Sequence, residues 1–337
     1  MAKVIPPGRR RGMVTVPSSK SIAHRELIAA ALSGVEAPVI RGESDDLVAT
    51  RNCLAAMLAG KPEWPCGESA TTLRLLEPLA GVLGLAGSFK CGERLAGRPR
   101  MPFVKRTRHI VPGNLSSQFV SGLLMALPLA GWDSEIVVDG ELQSAPYVRL
   151  TENVLTAAGI VFERLPHWGW KVPGNQRYRI DGGREVEGDW SQAAFFLAMG
   201  VEVSGVKADS AQGDRAIVED LRRLDHGPDG LILDVADTPD LYPVLAAYAA
   251  ATGRKATFTG TDRLRLKESD RLESTAKMIE AVRNGETVKT FGDHRIAMAA
   301  AVMACHAEKT VVIDNPDCVA KSYPRFWDDF EALEIMA

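Results

Sequence analysis

Nowhere in its 337 residues does the chain carry a run of about 18 apolar side chains, the length a bilayer span needs. The basic opening MAKVIPPGRRRGMVTVPSSK is not followed by the apolar segment of a secretory signal, so a cytoplasmic protein without a membrane partner is expected. Net charge is only −3, with 40 Lys and Arg against 43 Asp and Glu, which leaves no broad positive field to hold nucleic acid. Cysteine is sparse. The five (Cys53, Cys66, Cys91, Cys305, Cys318) form no CxxC pair and no metal-ligand spacing with the six histidines, which points to reduced, structural thiols and no metal. Missing too are GxxxxGK[ST], GxGxxG after a strand, HExxH and GxSxG. Nucleotide-phosphate, dinucleotide, zinc-protease and serine-hydrolase chemistry thereby lose their usual handles.

What is present is an ordinary globular composition, 46% hydrophobic, about two domains long at ~150 residues per domain. Short β-like runs alternate with helical ones: MVTVP then SIAHRELIAAALSG, SEIVVDG then VRLTENVLTAAG, ATFTG and RLRL then ESTAKMIEAV. That is an α/β pattern. Gly34, Gly60, Gly159 and Gly285 mark helix ends, where a left-handed residue is wanted. Six helix starts resemble one another: PSSKSIAHR, CGESATTLR, GNLSSQF, EGDWSQAAF, ESDRL and FGDHRIAM. Each leads from Gly, Ser, Thr or Asp into an apolar stretch. Taken singly they read as caps for the orphan N–H groups of a first turn; taken together, with Lys or Arg close by in four, they also fit a ligand with several negative groups.

The charged clusters sharpen this. Ser21 and Arg25 lie four apart on one helix face, and Lys20 and His24 share the next. Ser116, Ser117 and Gln118 stand at the mouth of a helix too apolar to be exposed, and Arg94, Arg98 and Arg100 share a loop punctuated by Gly and Pro. Asp234, Asp237 and Asp240 precede an apolar helix, where any one could be a general base or simply a helix-start acid. In RLRLKESDRL, alternation predicts a strand with Arg263, Arg265 and Lys267 on one side, turning into a helix with Leu272, Ala276 and Ile279 on its core face.

In order along the chain, SKSIAHR, ESATTLR, ERLAGRP, SSQFVSGLLMALPLA, SAPY, EGDWSQAAFFLA, QGD, RLKESDRL, DHRIAMA and CVAKSYPRF resemble the enolpyruvyl transferase family. The resemblance implies a two-domain inside-out α/β barrel with three βαβαββ-like units per domain. Residues 1–16 with 188–337 would form one discontinuous domain, 17–187 an inserted one, with the substrate cleft between them. It implies transfer of the enolpyruvyl (1-carboxyvinyl) group of phosphoenolpyruvate to the 5-hydroxyl of shikimate 3-phosphate, on the route to chorismate and aromatic amino acids. No cofactor would be needed, and the protein would act as a monomer on these two small molecules.

Matched position by position, the resemblance assigns Lys20, Ser21, Arg25, Ser116, Ser117, Gln118, Ser144, Tyr147, Asp240 and Lys267 to shikimate 3-phosphate. Lys20, Ala70, Arg94, Gln118, Arg271, Arg295 and Lys321 fall to phosphoenolpyruvate. Asp240 is implied as base for the hydroxyl, with Glu268 and Lys20 moving the proton at the methylene carbon. Some features depart from the family pattern. The chain is short, with gaps before CGES, between GRPRM and GNLSS, and between IEAVRNG and FGDHR, each expected to remove the strand pair that closes a unit. Glu68-Ser69-Ala70-Thr71 replaces Asn-Ala-Gly-Thr, so Ala70 should narrow the phosphoenolpyruvate pocket and weaken glyphosate, a competitor there. Arg263 stands for asparagine and Ala145 for lysine. Two other readings remain: the sister enzyme acting on UDP-N-acetylglucosamine, whose loop cysteine is here Glu93 with Cys91 off register, and a non-catalytic anion-binding relative.

Overall fold

The computed structural model describes residues 2–336. The chain divides into two compact units, one made of the chain up to Ser18, Gly42–Ser44 and everything from Glu187 onward, the other of Ser19–Arg41 and Asp45–Val186. Within the stretch 17–187, then, Gly42–Ser44 belong with the termini rather than with their sequence neighbours.

The chain opens with strands β1 (Lys3–Ile5), β2 (Arg10–Arg11) and β3 (Met13–Thr15) of the first unit. The second unit follows as α1 (Lys20–Ser33), α2 (Asp45–Leu58), β4 (Glu63–Gly67), α3 (Ala70–Val82), β5 (Ser88–Cys91), α4 (Glu93–Ala96), β6 (Arg108–Pro112), α5 (Ser117–Ala126), β7 (Ser134–Asp139), α6 (Ala145–Ala157), β8 (Glu163–Leu165) and β9 (Gly169–Val172). The first unit resumes with α7 (Trp190–Ala198), β10 (Glu202–Ser204), α8 (Ile217–His226), β11 (Leu231–Asp234), α9 (Tyr242–Thr252), β12 (Ala256–Thr259), α10 (Arg271–Asn284), α11 (His294–Ala304), β13 (Val311–Ile313), α12 (Phe326–Glu331) and β14 (Glu334–Ile335).

One sheet in the second unit has four strands, β6 parallel to β7, then β9 and β8 antiparallel. Its elements run β6-α5-β7-α6-β8-β9, a strand-helix-strand-helix unit closed by a hairpin. Elsewhere among the described residues the ladders pair two strands each, including β4 with β5 and β11 with β12 in parallel, each across one helix. None of the named strands lies between α4 and β6 or between α10 and α11, two of the places where the sequence is short.

Strands this sparse cannot close a core, so helices do. Helix α11 is buried along its whole length, which its small residues Ala297, Ala299, Ala300 and Ala301 allow by letting neighbours approach from every side. In the second unit α3 and α5 meet so closely that a Cβ on Gly122 would stand 2.2 Å from the Arg74 carbonyl oxygen, which only glycine avoids. Among the described residues no helix is long and apolar enough to cross a membrane.

Candidate active site

The six helix starts fall where their caps predict. Ser69 accepts from Thr72 N–H, Ser116 from Gln118 N–H, Asp189 from Ser191 and Gln192 N–H, Asp270 from Leu272 and Glu273 N–H, and Asp293 from Arg295 N–H. Each such cap stabilises its helix by about 1 kcal/mol. Ser19 occupies the cap position of α1 without a side-chain bond.

In the first unit these starts gather charge. The Asp240 carboxylate, on a short 3-10 turn ahead of α9, accepts from Arg271 Nη1 at 2.7 Å, Arg295 Nη2 at 2.9 Å and Lys267 Nζ at 3.3 Å. Arg271 continues to Glu268 at 2.6 Å and, through Nε, to Asp293 at 2.9 Å. Arg295 also donates to the Ser191 hydroxyl, which in turn donates to Asp189. Burial pulls the Lys267 ammonium down to about 8; Asp240 opposes that shift and Arg271 adds to it. Lys321 lies half-buried at the end of the 3-10 turn Pro316–Lys321.

RLRLK is not a strand. Residues Asp262–Leu266 form a 3-10 turn that buries Arg263 and Leu264 together and leaves Arg265 and Leu266 outside. Alternation misleads here because the pairing strand has already ended at Thr259. Helix α10 likewise turns Arg271, Ser274, Thr275, Met278 and Ala281 inward, while Ala276 is exposed and Leu272 and Ile279 are half-buried. A buried arginine at its first position rotates the inward face away from the purely apolar stripe.

The second unit supplies two further groupings. Lys20 donates to the buried Asp46 at 2.8 Å, and His24 Nδ1 lies 2.7 Å from Thr50 Oγ1, with burial holding that imidazole neutral at about 3. Arg25 is occupied internally, donating to Thr151 Oγ1, Ser121 Oγ and the carbonyls of Ser21 and Tyr147. Ser116 and Gln118 meet at Arg74, whose Nη1 reaches the Gln118 amide oxygen at 2.8 Å and Ser116 Oγ at 3.3 Å. Gln118 donates onward to Thr71 Oγ1. Ser117 is buried beside them, and Ser144 holds a left-handed backbone, φ 58°, at the start of α6, with Ala145 buried and Tyr147 half-buried after it. Such backbone in a non-glycine residue is strained and clusters at ligand sites.

Arg94 is exposed on α4, and Ala70 is buried at the first position of α3. Glu68 spends its carboxylate on the backbone N–H groups of Leu95, at 2.8 Å, and Arg94. Arg74 and Asp46 are among the polar residues the sequence reading passed over. A lone arginine inside TTLRLLEPL, with leucines on both sides, was the available sign that its charge is buried.

The sequence model of EPSP synthase (3-phosphoshikimate 1-carboxyvinyltransferase) matches residues 104–330. A protein of that enzyme name from Clostridium kluyveri is 33% identical, the match covering 98% of this chain and 96% of the relative; another from Clostridium perfringens strain 13 is 32% identical over 98% and 97%. The first alignment runs over 411 positions, more than this chain's length, so the relative carries segments that this chain lacks. Among solved structures, EPSP synthase from Acinetobacter baumannii superposes with a TM-score of 0.73 at 19% identity, each chain covered in full. On these matches the chain belongs to the EPSP synthase family.

Proposed function

We propose that the chain transfers the enolpyruvyl group of phosphoenolpyruvate to the 5-hydroxyl of shikimate 3-phosphate, releasing phosphate. The observation that carries this reading is the convergence of Lys267, Arg271 and Arg295 on the Asp240 carboxylate. Two multiply charged anions repel each other, so cations fixed in a partly dehydrated site are what brings them within reach. Arg271, Arg295, Lys321 and Arg94 are assigned to phosphoenolpyruvate, with Ala70 lining its place. Lys267, Ser21, Ser116, Ser117, Ser144, Tyr147 and Arg25 are assigned to shikimate 3-phosphate, with Lys20 and Gln118 touching both. Arg25, so fully bonded within its own unit, acts chiefly by holding Ser21 and Tyr147 in place.

A phosphoenolpyruvate anion competes with Asp240 for Arg271 and Arg295, freeing that carboxylate to accept the proton of the 5-hydroxyl. The hydroxyl oxygen then bonds to C2 of phosphoenolpyruvate while C3 takes a proton from Glu268 or Lys20. Loss of that C3 proton and of phosphate from the tetrahedral intermediate gives the enol ether. We further propose that the three short stretches mark βαβαββ units without their closing hairpins, in an inside-out barrel fold acting as a monomer. The sister reaction on UDP-N-acetylglucosamine is disfavoured, because Glu93 stands at the position of that enzyme's loop cysteine and Cys91 is off register. Mixing the protein with phosphoenolpyruvate and shikimate 3-phosphate should release phosphate; no release with these two, but release with UDP-N-acetylglucosamine, would transfer the chain to the sister activity.

A further inference from the structure

Cys53, Cys66 and Cys91 are distant in sequence, yet the second unit folds them onto one spot. Cys53 is buried on α2, which packs on β4. Cys66 sits in β4 where the ladder slips: Pro65 faces Lys90 and Gly67 faces Cys91, so Cys66 is the extra residue of a bulge beside Cys91. Cys66 and Cys91 both turn to the inward face of the ladder, and the Cys66 thiol donates to the Ser69 carbonyl at 3.4 Å. Of the three, only Cys91 is partly exposed. Neighbouring strands lie about 4.8 Å apart, within the Cα separations of roughly 4.4–6.8 Å that a disulfide spans.

We propose that Cys66 and Cys91 are a modification site, a reversible disulfide tying β4 to β5 beneath the phosphoenolpyruvate loops. The placement gives the bond leverage. Cys66 leads through Gly67 and Glu68 into the Ser69 cap of α3, which carries Ala70, Thr71 and Arg74. Cys91 leads through Gly92 into α4 and Arg94, and Gly92 N–H donates to the Gly67 carbonyl at 2.8 Å. Glu68, the residue after Gly67, accepts from the N–H groups of Leu95 and Arg94 and so joins the two segments again. A bond between the two sulfurs fixes both segments at their roots, where backbone pairing now joins them.

Hydrogen peroxide is a sufficient oxidant. The Cys91 thiolate attacks one peroxide oxygen and gives a sulfenic acid with loss of hydroxide, which takes up the thiol's proton as water. The Cys66 sulfur then attacks the Cys91 sulfur, and the sulfenic oxygen leaves as a second water carrying the Cys66 proton. Two thiols and one peroxide thus become one disulfide and two waters, and a dithiol reductant reverses the change. Because burial holds the Cys91 thiol protonated at neutral pH, the pair stays reduced under mild conditions and reacts faster as pH rises.

The effect on activity rests on the function proposed above, so the test separates the two. The reduced protein is first assayed with both substrates, which decides that function alone. The same protein is then treated with hydrogen peroxide and its peptides are mapped by mass spectrometry, which needs no activity. A linked Cys66–Cys91 peptide is expected, with kcat/KM for phosphoenolpyruvate lowered about tenfold by the displaced loops and restored by dithiothreitol. Cys91→Ala should keep basal activity and resist peroxide, whereas Cys318→Ala should respond as the parent does. Absence of the linked peptide, or its presence with unchanged kinetics, overturns the proposal.

Discussion

Arg271 and Asp293 form an ion pair sealed from solvent, with guanidinium Nε 2.9 Å from the carboxylate and the two side chains only 2% and 0% exposed. The same carboxylate accepts from Arg295 N–H and so fixes the first turn of α11. One buried acid therefore sets the positions of two cations. Removing Asp293 takes one of three carboxylates from the buried Arg271 and the cap from α11, at a cost of about 2–3 kcal/mol. Asp293→Ala should lower unfolding stability by roughly that amount in urea titration, and a transition matching the parent's would refute the coupling.

Asp240→Asn keeps the shape of the side chain but removes its capacity to take a proton. Turnover, followed as phosphate release, should fall about 10²–10⁴-fold while calorimetry still registers binding of both substrates. Unchanged turnover would remove Asp240 from the proton path.

Lys267 carries a pH dependence whose sign follows from its environment. Burial lowers its folded pKa from the ordinary 10.5 to about 8, so above that pH the free protein holds it neutral. The phosphate of shikimate 3-phosphate prefers the ammonium, so affinity should decline about tenfold per pH unit once pH exceeds 8, with proton uptake on binding. Stability should move the other way. Folding disfavours the charged lysine, a cost fully present below pH 8 and relieved as pH rises toward 10.5. Titrations at pH 7 and 9 giving equal affinity would contradict this, and Lys267→Met should flatten both trends.

Ala70 is buried at the first position of α3, where its methyl group cannot swing aside. Restoring glycine by Ala70→Gly should lower the glyphosate concentration needed for half-inhibition by about tenfold or more, the scale of one methyl in a tight pocket. Equal sensitivity of both proteins would place the methyl outside the pocket.

The helix starts were legible because capping is local chemistry: a Ser or Asp and the next three residues suffice to place Ser69, Ser116, Asp189, Asp270 and Asp293. The strand reading of RLRLK failed because strand character depends on a partner, and no ladder extends that far. Asp46 and Arg74 went unread for a related reason. Whether a charge is buried is decided by segments remote in sequence, as when Gln118 and Ser116 come to meet Arg74 from α5. Cys53, Cys66 and Cys91 show the same limit from the other side, since regular spacing is no guide to thiols joined by a bulge and a packed helix.

Helix α11, enclosed on all sides, carries Arg295 at its second residue. Its amide hydrogens can exchange with solvent only when the surrounding helices separate, so they should be among the slowest in the first unit. A guanidinium rooted there cannot relax on its own. Its geometry persists until the whole unit opens, and protection of these amides against deuterium is a direct gauge of how long the cation cluster survives.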